Sequence, residues 1–200
     1  FVSIRITERE ESNYKSMDVS IVQLNLSINQ FSDKEDIIEK YNEIIDIIKS
    51  NESDIIIFGE NDYPFFMDIN SINSIQNYIK KDQVIIIGST RKDKKNYYNS
   101  LFLINKNSYK IFDKKILVPF GEFIPLRSFF NFMKFIAGTI DFSKGNNLRN
   151  IQLNENMNIL PVICYEIIYF WKLINNYNDD TNVIINLTND SWFGNFSGPY

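Results

Sequence analysis

Residues 54–60 read DIIIFGE, a continuous apolar run closed by Gly59 and then by a carboxylate, Glu60. An uninterrupted β-branched run of this length needs cover on both faces, which is the position of an interior strand in an α/β sheet. The flanking sequence extends the pattern. Upstream, DVSIVQLNL (18–26) is rich in β-branched residues, with Val19 and Ile21 alternating with Ser20 and Val22, and reads as another strand. Between the two, Ser32 and Glu35 form a capping box that opens a helix with Ile37, Ile38, Tyr41, Ile44, Ile45 and Ile48 at helical spacing. Downstream, Ile72, Ile75 and Ile79 repeat the helical pattern over 71–81, and VIIIGST (84–90) is a further buried strand. The alternation of strand and helix predicts an α/β fold. Further strands are expected at 97–104, 109–114, 157–166 and 182–190.

Residues 1–16 are polar without a period of either kind and read as a lead-in linker, so a single domain is expected over 17–200. The net charge of -4 comes from 21 basic and 25 acidic residues scattered along the chain, which argues against a nucleic-acid partner. Histidine is absent, which removes Ser-His-Asp and Cys-His catalysis and the commonest transition-metal ligand. With one cysteine there is no internal disulfide and no Cys-x-x-Cys site. None of the seven glycines builds a G-x-G-x-x-G or Walker loop, which argues against dinucleotide or P-loop binding, and with the ligands above also missing no metal and no cofactor is expected. No apolar run reaches the roughly 18 residues of a membrane span, and the first residues lack a signal-peptide core, so the chain as it stands reads as soluble. It begins with Phe1 rather than methionine, which points to sequence missing upstream.

Chemistry must therefore come from carboxylates, lysine, hydroxyls or the thiol. At the ends of the expected strands stand Glu60, Lys114, Cys164, and Asn189 with Asp190. Ligands of open α/β sheets bind outside the carboxyl ends of strands, so these groups converge on one edge. Taken alone, Cys164 reads as an inert core thiol, Glu60 as a solvated acid, and Lys114 with Lys115 as a surface pair. Taken together, they supply a nucleophile, a base and a cation. A thiol with a pKa of about 8.5 needs a base at neutral pH. Without histidine, that base is Glu60, and Lys114 with the backbone N–H of Tyr165 would stabilise an oxyanion.

The strings FGENDYPFF, FDKKILVPFGEFIP and PVICYE resemble the Glu-Lys-Cys motifs of the nitrilase superfamily, in the same order. YNSLFLI, LVPFGEFIP (117–125), ICYE (163–166) and NLTNDSWFG (186–194) are similar to the apolipoprotein N-acyltransferase family within it. The resemblance covers roughly residues 18–200. It implies a nitrilase-like αββα sandwich on the periplasmic side of the inner membrane, attached to transmembrane helices that this chain lacks. Cys164, with Glu60 as base and Lys114 beside it, would take an acyl chain from a phospholipid as a thioester. The N-terminal amine of a diacylglyceryl-cysteine lipoprotein would then receive it. Glu122 and Glu166 match two further acidic positions that would fix Lys114 and the turn at the nucleophile.

Trp192 and Phe193 read as packing residues that shape the pocket. SFFNFMKFIAG (128–138), with Phe129, Phe130, Phe132 and Phe135, reads either as a buried helix or as a lid that touches acyl chains or membrane. Two departures from the family stand out: the sandwich is expected to be truncated at its C-terminus, and 16 polar residues stand in place of the membrane bundle. In the first motif, Phe58-Gly59 also stands where the family usually has Trp-Pro. Two other readings fit the same residues: a soluble carbon-nitrogen hydrolase that resolves its intermediate with water, and an inactive split-gene fragment.

Overall fold

In the computed structural model, residues 17–24, 34–118, 122, 141–146, 149–154, 157–174 and 181–189 are described. The apolar run forms β2 (Ile55–Ile57), with Ile55 and Ile56 buried. It lies between β1 (Val19–Ile21) and β3 (Val84–Asp93) and is parallel to both, as helical crossovers between successive strands require. These crossovers contain α1 (Lys34–Ser50) and α2 (Ile69–Tyr78). β3 turns back into β4 (Asn96–Asn105), and β5 (Tyr109–Asp113) follows, both pairs antiparallel. The result is a five-stranded sheet ordered β1-β2-β3-β4-β5. A second sheet of three strands holds β6 (Ile151–Asn154), β7 (Met157–Ile163) and β8 (Thr181–Leu187), with β7 and β8 parallel. Between β7 and β8 come a 3-10 helix (Cys164–Tyr169) and the short α3 (Phe170–Ile174).

Residue alternation sorts the core into layers. Ile56, Phe58, Ile85, Ile87, Phe102 and Ile104 face α1 and α2, where they meet Ile44, Ile45, Ile48, Ile72 and Ile75. The neighbours one residue along, Ile55, Ile86, Leu101, Leu103 and Phe112, face the second sheet and meet Ile151, Ile159, Ile163, Ile185 and Leu187. On the far side of that sheet, Leu160 and Val162 pack against Leu173 of α3. The order helix, sheet, sheet, helix is the four-layer αββα sandwich expected from the sequence. Burying one such aliphatic side chain contributes about 1.5–3 kcal/mol, so the two faces of the first sheet dominate its stability.

Several boundaries differ from expectation, each for a local reason. Of the expected 18–26, β1 takes in Val19–Ile21, with Val22 N–H still bonded to Ile57 O at 2.8 Å and residues 25–26 outside the described ones, and its Val19 and Ile21 side chains are exposed. Ile38, expected on the buried face of α1, is exposed. α2 starts earlier than residue 71 because the Asp68 side chain caps it, accepting the Ser71 N–H at 2.8 Å. The expected strand 157–166 ends at Ile163, where Cys164 turns the backbone into the 3-10 helix. β6 was not expected. Its four residues, IQLN, do alternate apolar and polar, but so short a run in a polar stretch becomes a strand through its pairing with β7. The lead-in 1–16, the cap residue Ser32, Asp190, Trp192, Phe193 and the segment 128–138 with its four phenylalanines lie outside the described residues.

Candidate active site

Three loops bring polar groups to the carboxyl ends of β2, β5 and β7. After β2, the chain crosses the top of β3: Phe58 N–H donates to Ile86 O at 2.8 Å, and Gly88 N–H to Gly59 O at 3.1 Å. This crossing needs glycine at position 88, since a Cβ there would lie 2.6 Å from Asn61 N and Gly59 O. Glu60 follows at once and is buried. After β5, Lys114 N–H donates to Asn99 O at 2.8 Å. Its neighbour Asp113 is clamped by Arg91 through Nε at 3.1 Å and Nη2 at 2.7 Å. After β7, Cys164 takes φ of 51°, a left-handed conformation that costs a non-glycine residue about 1–3 kcal/mol and is typical of functional turns.

The buried side chains form one network. Lys114 Nζ donates to Glu122 Oε1 at 3.0 Å and to Glu60 Oε1 at 3.4 Å. Asn99 Nδ2 bridges the same two oxygens, at 2.8 Å to Glu60 and 2.9 Å to Glu122. Glu122 Oε2 accepts the Val118 N–H at 2.9 Å, which closes its own loop. Glu60 Oε2 is buried without a hydrogen-bond partner of good geometry. The Cys164 thiol lies beside that carboxylate, near enough that each group shifts the pKa of the other.

A second network holds the turn at the thiol. Glu166, fully buried, accepts Lys115 N–H and Ile116 N–H at 2.9 Å on Oε1, and Ile163 N–H at 3.0 Å on Oε2. Arg149 completes it with Nη2 to Oε1 at 2.6 Å and Nη1 to Oε2 at 3.1 Å. The Arg149 guanidinium also bonds Pro161 O at 2.9 Å and stacks on the Phe112 ring. One carboxylate thus ties the segment after Lys114 to the segment before Cys164.

Electrostatics follow from burial. Desolvation raises the Glu60 pKa, against the opposing pull of Lys114 and Asn99. Desolvation also pushes the Cys164 thiol up, with the Glu60 charge adding to it and Lys114 opposing, to about 11. For Lys114, burial pulls the pKa down, but Glu60 and Glu122 outweigh it and the net direction is upward. At neutral pH the thiol is protonated, beside the Glu60 carboxyl group and the Lys114 ammonium. Such a group is suited to nucleophilic attack on a carbonyl with concerted proton transfer, not to storage of a free thiolate. Among the described residues no group of three or more His, Cys, Asp or Glu side chains is arranged to hold a metal.

Of the residues expected at the site, Glu60, Lys114, Cys164 and Glu122 meet around one centre, and Glu166 sits behind it. Tyr165 is the second residue of the 3-10 helix and its side chain is exposed, and Asn189, two residues past β8, is buried. Lys114 rather than Lys115 enters the network, since Lys115 contributes its backbone N–H to Glu166. Sequence reading missed Asn99, Arg149 and Asp62. An amide inside the apolar run YYNSLFLI is a usable signal, because buried polar groups are there to be bonded. Arg149 and Asp62 lie in polar stretches that give no such signal.

The carbon-nitrogen hydrolase family matches residues 18–200. The chain is 35% identical over 161 residues to the apolipoprotein N-acyltransferase of Rickettsia typhi, covering 76% of this chain and 32% of that protein. It is 34% identical over 199 residues to the apolipoprotein N-acyltransferase of Wigglesworthia glossinidia brevipalpis, covering 93% and 40%. It therefore spans well under half the length of these curated relatives. Among solved structures, it is similar to the glutamine-dependent NAD+ synthetase of Acinetobacter baumannii, with TM-score 0.57, 16% identity and coverage of 87% and 32%. It is also similar to Saccharomyces cerevisiae Nit3, a member of the nitrilase superfamily, with TM-score 0.55, 14% identity and coverage of 86% and 64%. At such identities the structures speak for the fold alone, and the fold is the same sandwich. The match over 18–200, carried by this αββα architecture, makes the chain a member of the carbon-nitrogen hydrolase family.

Proposed function

We propose that this chain is the catalytic domain of an N-acyltransferase that moves an acyl chain from a phospholipid to the N-terminal amine of a diacylglyceryl-cysteine lipoprotein. The observation that carries the reading is the buried Glu60, Lys114 and Glu122 cluster facing a thiol at a left-handed turn. The similarity to apolipoprotein N-acyltransferases over 93% of the chain supports the choice of acyl donor and acceptor.

In the proposed first half-reaction, Glu60 takes the Cys164 proton as sulfur attacks the ester carbonyl. Lys114 and the Tyr165 N–H stabilise the oxyanion, and the protonated Glu60 then returns its proton to the departing alkoxide. A thioester on Cys164 and a lysophospholipid result. In the second half, the amine attacks the thioester, Glu60 accepts the amine proton, and the proton passes to the departing thiolate. Glu122 and Asn99 hold Glu60 and Lys114 at fixed separation, so little reorganisation is needed. Among the described residues no helix is long and apolar enough to cross a membrane. The proposed location, at the periplasmic face of the inner membrane, rests on the similarity to apolipoprotein N-acyltransferases.

The test is a two-step mass measurement on the 200-residue chain. A p-nitrophenyl fatty-acyl ester should add one acyl mass at Cys164, and a diacylglyceryl-cysteine peptide should remove it with gain of an N-acyl product. Glu60→Gln should abolish the first step. Release of the acyl group to water in preference to the peptide amine would turn the assignment to an amidase, and absence of any label would refute it.

A further inference from the structure

Two residues past Glu60 stands a second carboxyl group with no role in the chemistry above. Asp62 is fully buried. Its Oδ2 accepts the Gly59 N–H at 2.6 Å, while Oδ1 has no partner. A buried carboxyl with an empty acceptor costs free energy, and an aliphatic side chain would fill the same volume without that cost. Burial pushes its pKa up against the Gly59 bond, and Glu43 of α1 and Glu60 add to the rise, to about 6. Packing therefore does not explain why a carboxyl stands there.

The bond itself does. It fastens the peptide immediately before Glu60, where Gly59 has no side chain to anchor the backbone. The other ties there are Gly88 N–H to Gly59 O at 3.1 Å and a long Glu60 N–H to Thr188 O contact at 3.5 Å. The φ of Gly59 lies outside the left-handed region, so glycine is required for space and not for conformation. A Cβ at that position would lie 2.9 Å from Asp62 Oδ2 and 3.2 Å from Thr188 O. Glycine at 59 leaves the room through which the Asp62 carboxylate reaches the amide. The two residues are fitted to each other.

We propose that Asp62 is a positioning residue for Glu60, clamping the base loop through the Gly59 backbone amide. The inference rests on the reading of Glu60 as the base for Cys164. Short, charge-assisted bonds to backbone amides are among the strongest neutral-to-ion contacts available to a loop. Holding the base within hydrogen-bond reach of the thiol is the step that such a clamp would accelerate.

The experiment measures thioester formation on Cys164 from a p-nitrophenyl acyl ester in the 200-residue chain, with the melting temperature followed in parallel. Asp62→Leu keeps the volume and removes the acceptor. The rate at saturating ester should fall about 10- to 100-fold with KM for the ester unchanged. Asp62→Asn keeps an oxygen that can accept the same N–H, and should restore the rate to within about 3-fold of wild type. A wild-type rate in Asp62→Leu, or an Asp62→Asn as slow as Asp62→Leu, overturns the proposal. Should Asp62→Leu not fold, amide exchange at Gly59 in the wild-type chain decides: protection is required, and exchange as fast as an open loop refutes the clamp. A wild-type chain that forms no thioester at all counts against the acyltransferase reading instead, which separates the two failures.

Discussion

At the scale of single residues, the proposed chemistry turns on Cys164 and Glu60, whose pKa values burial raises. A thiol raised to about 11 is protonated at neutral pH, and a Glu60 pKa raised from 4.5 keeps that carboxylate within reach of a proton. Sulfur can attack only while Glu60 is ionised. Thioester formation should therefore be lost as pH falls through the Glu60 pKa, above 4.5, and should gain nothing from free thiolate until pH approaches 11. A pH–rate profile of acylation checks this. Glu60→Gln should lower the rate about 10²- to 10⁴-fold and remove the acid limb. A profile that rises only near the thiol's own pKa, indifferent to Glu60→Gln, would mean that the thiolate acts without a base. Lys114 cannot replace Glu60, since its pKa is raised and it stays an ammonium.

The 3-10 turn after β7 is the element on which the proposed nucleophile depends. Cys164 holds a left-handed φ that its own side chain disfavours, and Glu166 supplies the restraint by binding Ile163 N–H on one oxygen and the Lys115 and Ile116 N–H groups on the other. Arg149 neutralises it in a fully buried pair. Removing one partner of such a pair leaves a charge without compensation. Glu166→Ala should destabilise the chain by about 3–5 kcal/mol, read as a lower urea midpoint, whereas Glu166→Gln, which keeps an acceptor, should cost less. Equal midpoints for Glu166→Ala and wild type would show that the turn is held by something else. The sequence pattern ICYE placed Glu166 beside the thiol, but an acid two residues from a cysteine carries no information about which backbone amides it will cap.

The two sheets are joined by a single apolar layer, with Ile55, Ile86, Leu101, Leu103 and Phe112 on one side and Ile159, Ile163, Ile185 and Leu187 on the other. The site straddles this joint, since Glu60 and Lys114 come from the first sheet and Cys164 from the second. Unfolding should thus be one transition, with far-UV circular dichroism and aromatic fluorescence coincident in urea. Two separate midpoints would show sheets that fold apart and a site that exists only when both are docked. Much of this architecture was legible in advance. Continuous, short, β-branched runs such as IIIF and VIII favour covered strands, and the helical spacing of Ile44 with Ile48 and of Ile72 with Ile75 buries one face of each helix, because burial of apolar area is a local pattern in the chain. Order along the chain also put Glu60, Lys114 and Cys164 at strand ends. Only the tertiary structure decided which polar groups meet. Asn99 bridges two carboxylates from 39 and 23 residues away, Arg149 pairs with Glu166 across 17, and Asp62 turns inward to its own loop. Hydrogen bonds and pKa values depend on distance and desolvation after packing, and those quantities are set by the sandwich as a whole rather than by any stretch of its sequence.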